Sequence, residues 1–255
     1  MRHPCCLRAV SHTDTDTDTH RHRHIDSEMG NFGSLTAKVV PGGQHDPTRD
    51  AVPLTERSFD QCKKEIAEAR KNDKWLMRDL RSDHAGEVGA VWIYKGALAA
   101  MKLRPHNEHV HSFVEHHLES ERGHLAFFQQ GLAKDEHTKL VGMWKVAGFC
   151  LGFFPTLISA PALFVTIHAV ETFVEDHYNA HITPLQEKKP SNPYPALTHA
   201  LKQFCQDEVR HATDAATRYG TTVLQDDLSR NSLASAWSRV VQWGSAQAAN
   251  VARKF

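Results

Sequence analysis

The stretch Leu80-Arg81-Ser82-Asp83-His84-Ala85-Gly86-Glu87-Val88-Gly89-Ala90-Val91-Trp92-Ile93-Tyr94 has the spacing of a helix seam through Leu80, His84, Val91 and Tyr94, yet it places Glu87 on that seam. The seam continues through Leu98 and Met101. Three further stretches repeat the pattern: Val114, Leu118, Glu121, Leu125, Phe128, Leu132; then Phe164, Ile167, Glu171, Val174, Tyr178; then Leu197, Leu201, Phe204, Glu208, His211, Ala215. Residues at this spacing share one helix face, so Glu87, Glu121, Glu171 and Glu208 should point into the space where the helices meet. A buried, unpaired carboxylate costs on the order of several kcal/mol, comparable with the net stability of a domain, so partners are required. Two of the glutamates bring a histidine one turn later, as Glu121-x-x-His124 and Glu208-x-x-His211. A pair of metal ions would satisfy all six groups at once.

The chain of 255 residues has room for a domain of about 200 residues and a tail. Lys and Arg number 30 and Asp and Glu 30, so electrostatics do not suggest a nucleic-acid partner. Histidine is the outlier at 19 residues, but several fall in the run TDTDTDTHRHRH over Thr13 to His24, which has no apolar residue and reads as a disordered segment rather than a metal site. Residues 1–53 show almost no apolar periodicity and are expected to be a disordered N-terminal tail. Arg2, Arg8, Arg21 and Arg23 fit a mitochondrial transit peptide, whereas Asp14, Asp16, Asp18 and Asp26 weaken that signal. Cys5, Cys6, Cys62, Cys150 and Cys205 form no CxxC and no even framework, which fits free thiols in a reducing compartment.

The folded domain is expected over residues 54–255. A polar helix over Leu54 to Lys71 has Thr55 as its cap. The first seam helix spans Trp75 to Leu103, stopped by Arg104-Pro105, and the second spans Asn107 to Ala133. From Val141 to Val170 no charged residue follows Lys145 until Glu171, a length that approaches a membrane span. Gly148, Gly152, Pro155 and Pro161 argue for two short apolar helices instead, with an exposed face lying in a membrane surface or against an apolar partner. A true span and plain core packing are the alternatives. The third seam helix should run to about His181 and stop at Pro184, and the fourth should span Ala196 to Tyr219 with Gly220 as C-cap. Leu233, Trp237, Val240 and Val241 predict a closing C-terminal helix, and no strand pattern is present.

A lone Glu-x-x-His carries little weight, because Glu108 and His111 also qualify. Glu108 falls beside its seam and reads as solvated, whereas Glu121 falls on it. The informative feature is the ordered set of single Glu, Glu-x-x-His, single Glu, Glu-x-x-His on four amphipathic helices, the arrangement by which all-α four-helix bundles hold two irons or two manganese ions. Carboxylates can bridge hard cations, and one imidazole per metal fixes each end without adding charge. A core of glutamates neutralised by basic side chains is the competing reading, but no basic residue lies in phase to neutralise four acids.

At these residues the chain resembles the demethoxyubiquinone hydroxylases of ubiquinone biosynthesis, a family of carboxylate-bridged di-iron proteins of ferritin-like fold. The matching stretches are Asp83-His84-Ala85-Gly86-Glu87 with Gly89-Ala90 and Ile93-Tyr94, Glu121-Arg122-Gly123-His124-Leu125, Ala169-Val170-Glu171 with His177-Tyr178-Asn179, and Asp207-Glu208-Val209-Arg210-His211. The resemblance implies a ferritin-like bundle over residues 75–255, with iron ligands at Glu87, Glu121, His124, Glu171, Glu208 and His211. It matches His177 and Tyr178 to a pair near the metal site. Both would relay electrons or protons to the site, Tyr178 being in phase with the glutamates, or else Tyr178 is a core tyrosine with a satisfied hydroxyl. Val88 stands where the family usually has an aromatic residue, and Glu175-Asp176 where it tends to have Ala-His, departures that bear on substrate orientation.

The resemblance further implies a monooxygenase that uses two Fe ions and O2 to hydroxylate the ring of a polyprenylated quinone. Electrons would come from NADH or the reduced quinol, and no GxGxxG loop is present to bind a nucleotide. It implies a peripheral location on the matrix side of the mitochondrial inner membrane, held through residues 141–161, and a lipid-binding partner of the same biosynthetic complex. The sequence leaves a homo-oligomer open. Rival readings are ferritin-like iron storage, a quinol oxidase, and a non-catalytic scaffold for the ubiquinone-making complex.

Overall fold

The computed structural model describes residues 54–255 except 106 and 188–190, and the expectations for the tail over 1–53 lie outside the described residues. In chain order the helices are α1 (Glu56–Asn72), α2 (Lys74–Met101), α3 (Glu108–Gly131), α4 (Val141–Ile158), α5 (Ala160–Glu187), α6 (Pro195–Tyr219), α7 (Thr221–Ser229) and α8 (Leu233–Ala252). Thr55 caps α1 by accepting from the Ser58 amide at 3.2 Å, and Asn107 caps α3 by accepting from the Val110 amide at 3.2 Å. The four seam helices are α2, α3, α5 and α6.

Two apolar cores divide the bundle along its length. One gathers Leu76 and Leu80, Phe127 and Phe128, Ile182 and Leu185, and Leu197, Leu201 and Phe204, closed by Cys62, Ile66 and Ala69 of α1. The other gathers Val91 and Tyr94, Phe113, Val114 and Leu118, Leu163, Phe164 and Ile167, and Ala215. Each seam helix crosses from one core to the other through a buried polar layer that holds Glu87, Glu121, His124, Glu171, Glu208 and His211. The order of core residues along each helix shows that α2 and α6 run one way and α3 and α5 the other. Only a long connection can join α3 to α5 in that arrangement, and α4 is that connection.

The apolar segment breaks once, at Ser159, into the 18-residue α4 and the first turns of the long α5 rather than into two short helices, because Gly148, Gly152 and Pro161 have other uses. A Cβ on Gly148 would overlap the carbonyl oxygen of Gly89, one on Gly152 that of Ile93, and one on Gly96 that of Phe149. The glycines let α4 lie backbone to backbone along α2 and parallel to it. Pro161 sits in the first turn of α5, where a missing N–H leaves no acceptor unserved, and Ser159 caps that helix by accepting from the Ala162 amide at 3.1 Å. Arg104, expected only to end α2, donates to the terminal carbonyls of Thr156 and Leu157 on α4.

Pro184 does not stop the third seam helix. α5 continues to Glu187, held across the proline by Ile182 and Leu185, both buried in the first core. After Gly220, whose φ of 100° ends α6, the chain forms the short α7, which the periodicity did not predict, and then α8. The closing helix lies against α2 and α5 through Ser82 Oγ to the Ala249 carbonyl at 3.2 Å, Arg253 to Asp79 at 2.5 Å and Trp237 Nε1 to Thr166 Oγ1 at 2.8 Å.

Gly152→Ala should lower stability by about 1–3 kcal/mol, because the added carbon meets backbone that cannot give way. Gly142→Ala, on the same helix with open space around it, should be neutral or stabilising by up to ~1 kcal/mol. Denaturant unfolding of both variants checks the pair, and equal effects would discard the interlock.

Candidate metal centre

Each of the six expected ligands is buried in the polar layer. The helix spacing that predicted them is what brings them together, since Glu121 with His124 and Glu208 with His211 are one turn apart on α3 and α6. Nδ1 of His124 lies 3.0 Å from Glu208 Oε1, 3.7 Å from Glu87 Oε2 and 3.8 Å from Glu121 Oε2. Nδ1 of His211 lies 3.0 Å from Glu121 Oε1 and 3.3 Å from Glu208 Oε2. The atoms sort into two sets whose members lie within 4.8 Å of one another: Glu87, Glu121, His124 and Glu208, and Glu121, Glu171, Glu208 and His211. Glu121 and Glu208 belong to both, as a bridged pair of ions requires. Glu108 and His111 stay outside, with Glu108 exposed in the first turn of α3.

Donors behind the ligands fix their orientation. Tyr178 donates to Glu87 Oε1 at 2.6 Å, and Tyr94 donates to Glu171 Oε1 at 3.0 Å. Burial, reinforced by these glutamates, raises both phenols well above their ordinary value, so they stay donors. Nε2 of His124 lies 3.2 Å from Asp207 Oδ2, an arrangement that places the proton on Nε2 and leaves the Nδ1 lone pair facing the carboxylates. His117, hydrogen-bonded to Asp214 at 3.0 Å, packs edge-on against the His211 ring with centroids 4.3 Å apart.

The residues fit a metal pair by a direct observation. Glu87 Oε2, Glu171 Oε2, both oxygens of Glu121, both of Glu208 and Nδ1 of His124 are buried and make no hydrogen bond, although they face one another. Carboxylate oxygens and an imidazole nitrogen that converge in a buried layer without hydrogen bonds are groups that cations would satisfy in place of protons. Burial together with the charges on Glu121 and Glu208 outweighs His124 and holds Glu87 well above the usual carboxyl range, and burial with the same two charges does so for Glu171. For Glu121 burial is outweighed by contacts with His124 and His211, which pull it down; for Glu208 they also outweigh the Glu121 charge. Burial opposes the charge on His124, but Glu121 and Glu208 prevail and raise it well above its ordinary value.

A cavity of about 360 Å³ reaches this layer. It is lined by all four glutamates and Tyr178, and otherwise mainly by apolar side chains such as Ile93, Leu151, Val170, Val174 and Val241. Exposed Ala147 on α4 and exposed Trp237 and Val240 on α8 also line it, so it opens between those helices. His177, expected beside the centre, lines the cavity but faces Asp83, with Nε2 3.2 Å from Oδ1.

Sequence reading named Tyr94 only as a seam residue and passed over the roles of Asp83, Asp207 and His181. One signal was available. Tyr94 follows Glu87 by the same seven residues that separate Tyr178 from Glu171. Asp207 is adjacent to a ligand in sequence, but only the packing of α6 against α3 shows that it backs His124.

A helical bundle with one long crossover and a buried layer of four glutamates and two histidines is a ferritin-like carboxylate protein. The family described as ubiquinone biosynthesis protein COQ7 matches residues 74–252, and the chain belongs to that family. It is 32% identical over 149 residues to the NADPH-dependent 3-demethoxyubiquinone 3-hydroxylase, mitochondrial, of Dictyostelium discoideum, covering 58% of this chain and 66% of that protein. It is 33% identical over 136 residues to the mouse protein of the same name, covering 52% and 60%. With the 3-demethoxyubiquinol 3-hydroxylase of Rhodospirillum rubrum the identity is 40% over 136 residues, covering 52% and 60%. The chain thus spans roughly three-fifths to two-thirds of the length of these relatives.

Metal binding should show a pH dependence of definite sign. The raised carboxyls of Glu87 and Glu171 contribute stability to the metal-free fold that is full below their ordinary value of 4.5 and is lost as pH rises through their raised values. The raised His124 acts in the same sense above its ordinary 6.5. The lowered Glu121 and Glu208 lose their contribution only as pH falls below the ordinary carboxyl value. The gap in melting temperature between metal-loaded and metal-free protein should therefore widen from about pH 5 to about pH 8. Thermal unfolding of both forms measures it, and a constant gap would mean that ions do not replace protons in this layer.

Proposed function

We propose that this chain is a di-iron monooxygenase that hydroxylates the ring of a demethoxyubiquinone, or its quinol, in ubiquinone biosynthesis. The observation that carries the reading is the meeting of two ligand sets, joined by Glu121 and Glu208, with an apolar cavity that opens between α4 and α8. An iron-storage protein has no use for such a cavity, and a scaffold has no use for the ligand layer. The relatives' names support the substrate class.

Glu87 and His124 would hold one ion, Glu171 and His211 the other, and Glu121 and Glu208 would bridge them. The bound pair of irons supplies the oxidising chemistry. One oxygen atom of O2 enters a ring C–H bond, and the other leaves as water with two electrons and two protons from a reduced donor. The side chains do the rest. Tyr178 and Tyr94 pin Glu87 and Glu171 through one oxygen each and leave the other oxygen without a hydrogen bond, where it would be available to a metal. Tyr178, on the cavity wall, is placed to move a proton between Glu87 and the bound ring. Ile93, Val170, Val174 and Val241 line the cavity with apolar surface that would exclude water and pack against a bound ring.

The electron donor is a reduced nicotinamide or the reduced quinol. The Dictyostelium and mouse relatives are named for NADPH, whereas the family resemblance had implied NADH or the reduced quinol. A polyprenyl tail needs an exit into lipid. Met143, Val146, Phe154 and Ile158 on α4 and Leu233, Val240 and Trp243 on α8 are exposed apolar side chains on the two helices between which the cavity opens, with Ile158 at 73% and Trp243 at 68%. We take this face as a peripheral contact with the matrix side of the mitochondrial inner membrane; the relatives' names include the word mitochondrial. The helix α4 has the length and hydropathy of a span, but its glycine face is packed on α2. A lipid-binding protein of the same complex would share the exposed face.

Purified protein should carry about two irons and convert demethoxyubiquinone to its hydroxylated form, with NADPH, NADH and reduced quinol compared as donors. Glu171→Ala should abolish product and lower the iron content. Wild-type turnover in that variant would refute the ligand assignment. The double variant Phe154→Asp and Ile158→Asp should weaken binding to phosphatidylcholine and cardiolipin vesicles by about tenfold or more with iron content unchanged, as read by flotation. Undiminished binding would move the membrane contact elsewhere.

A further inference from the structure

One turn before Glu87 on α2 stands Asp83, and on α5 His177 and His181 stand one turn apart on one face. Their side chains are 0%, 9% and 1% exposed. Asp83 Oδ1 lies 3.2 Å from Nε2 of His177, and Asp83 Oδ2 lies 3.2 Å from Nε2 of His181. Neither approach is a hydrogen bond: both oxygens, both Nε2 atoms and Nδ1 of His181 are buried with no hydrogen-bond partner. The contrast with Asp207 is informative, since it meets Nε2 of His124 at the same 3.2 Å and does form one. The neighbouring Asp79 takes Arg253 at 2.5 Å, so that guanidinium serves another carboxylate.

A buried Asp83 needs a positive partner. One donor atom from each of Asp83, His177 and His181, all within 4.8 Å of one another and buried, suits a cation between them.

We propose that Asp83, His177 and His181 form a third, mononuclear site for a divalent transition ion, distinct from the four-glutamate layer. The donor set of two imidazoles and one carboxylate matches Zn²⁺ or Fe²⁺ rather than Ca²⁺ or Mg²⁺, which favour all-oxygen shells. Asp83 and His177 line the apolar cavity, so the remaining coordination positions face it and take an oxygen donor from there, water or the oxygen of a bound ring. This gives His177 a ligand's role in place of a relay's. The site rests on its own residues and goes beyond the hydroxylase reading.

The test uses the full chain loaded anaerobically with iron, desalted and titrated with Co²⁺, with retained iron measured in the same samples. Wild type should take up about one further equivalent per chain and show the visible bands of cobalt in a nitrogen and oxygen shell. His181→Gln should bind that equivalent at least about tenfold more weakly while keeping its iron. X-ray absorption of the cobalt in wild type, which needs no variant, should show two imidazoles. No uptake beyond iron, equal uptake by His181→Gln, or a cobalt shell without imidazole overturns the site. The iron content of the wild type reports separately on the di-iron reading.

Discussion

Four carboxylates buried in one layer, between two apolar cores, are the constraint to which the rest of this bundle answers. Each core alone would hold helices together in several registers. The layer removes that freedom, because a shift of one turn in any helix would press a glutamate into hydrocarbon at a cost of several kcal/mol, on the order of the net stability. The tyrosines tighten it further. Tyr94 on α2 reaches Glu171 on α5, while Tyr178 on α5 reaches Glu87 on α2. The two hydroxyl bonds cross between the same pair of helices, so α2 and α5 are fixed to each other at the level where the ligands must meet.

The crossover helix meets a different demand. A chain that runs α2 and α6 one way and α3 and α5 the other has to return along the bundle once, and an ordinary helix in that place would bury its apolar residues against α2. The glycines of α4 allow contact through the backbone instead. Much of the helix's apolar surface is thereby left outward, with 28% of its span buried. The same close approach brings Trp144, Ala147 and Leu151 to the rim and wall of the cavity. Close packing on one side and an apolar exterior on the other are therefore one arrangement.

What the sequence could disclose follows from how local each signal is. The seam helices, the cap at Thr55 and the convergence of the six centre residues rest on signals within single helices, and these were legible there. Pro184 misled because buried Ile182 and Leu185 hold the last turns of α5 across it, a tertiary effect without a local trace. Gly148 and Gly152 misled for a related reason: a glycine that breaks a helix and one that admits a neighbour's backbone look alike until the neighbour is known. Asp207 and His181 needed partners on other helices to acquire meaning.

The placement of the imidazoles decides from which side the layer can be approached. All four glutamates line the cavity and neither His124 nor His211 does. The two histidines stand on α3 and α6, backed by Asp207 behind one and by His117 with Asp214 behind the other. Phe204 packs against the His124 ring with centroids 4.5 Å apart, and Phe113 against His117 at 4.4 Å, so that flank is filled. The carboxylates, which could change how many oxygens they offer a metal, therefore face the open side, and the rigid imidazoles face the closed one. Any rearrangement of the carboxylates is then confined to the side on which the cavity opens, while the far side keeps its geometry. That asymmetry follows from putting both Glu-x-x-His pairs on α3 and α6, and the single glutamates with their tyrosines on α2 and α5, the helices against which α4 and α8 leave a gap.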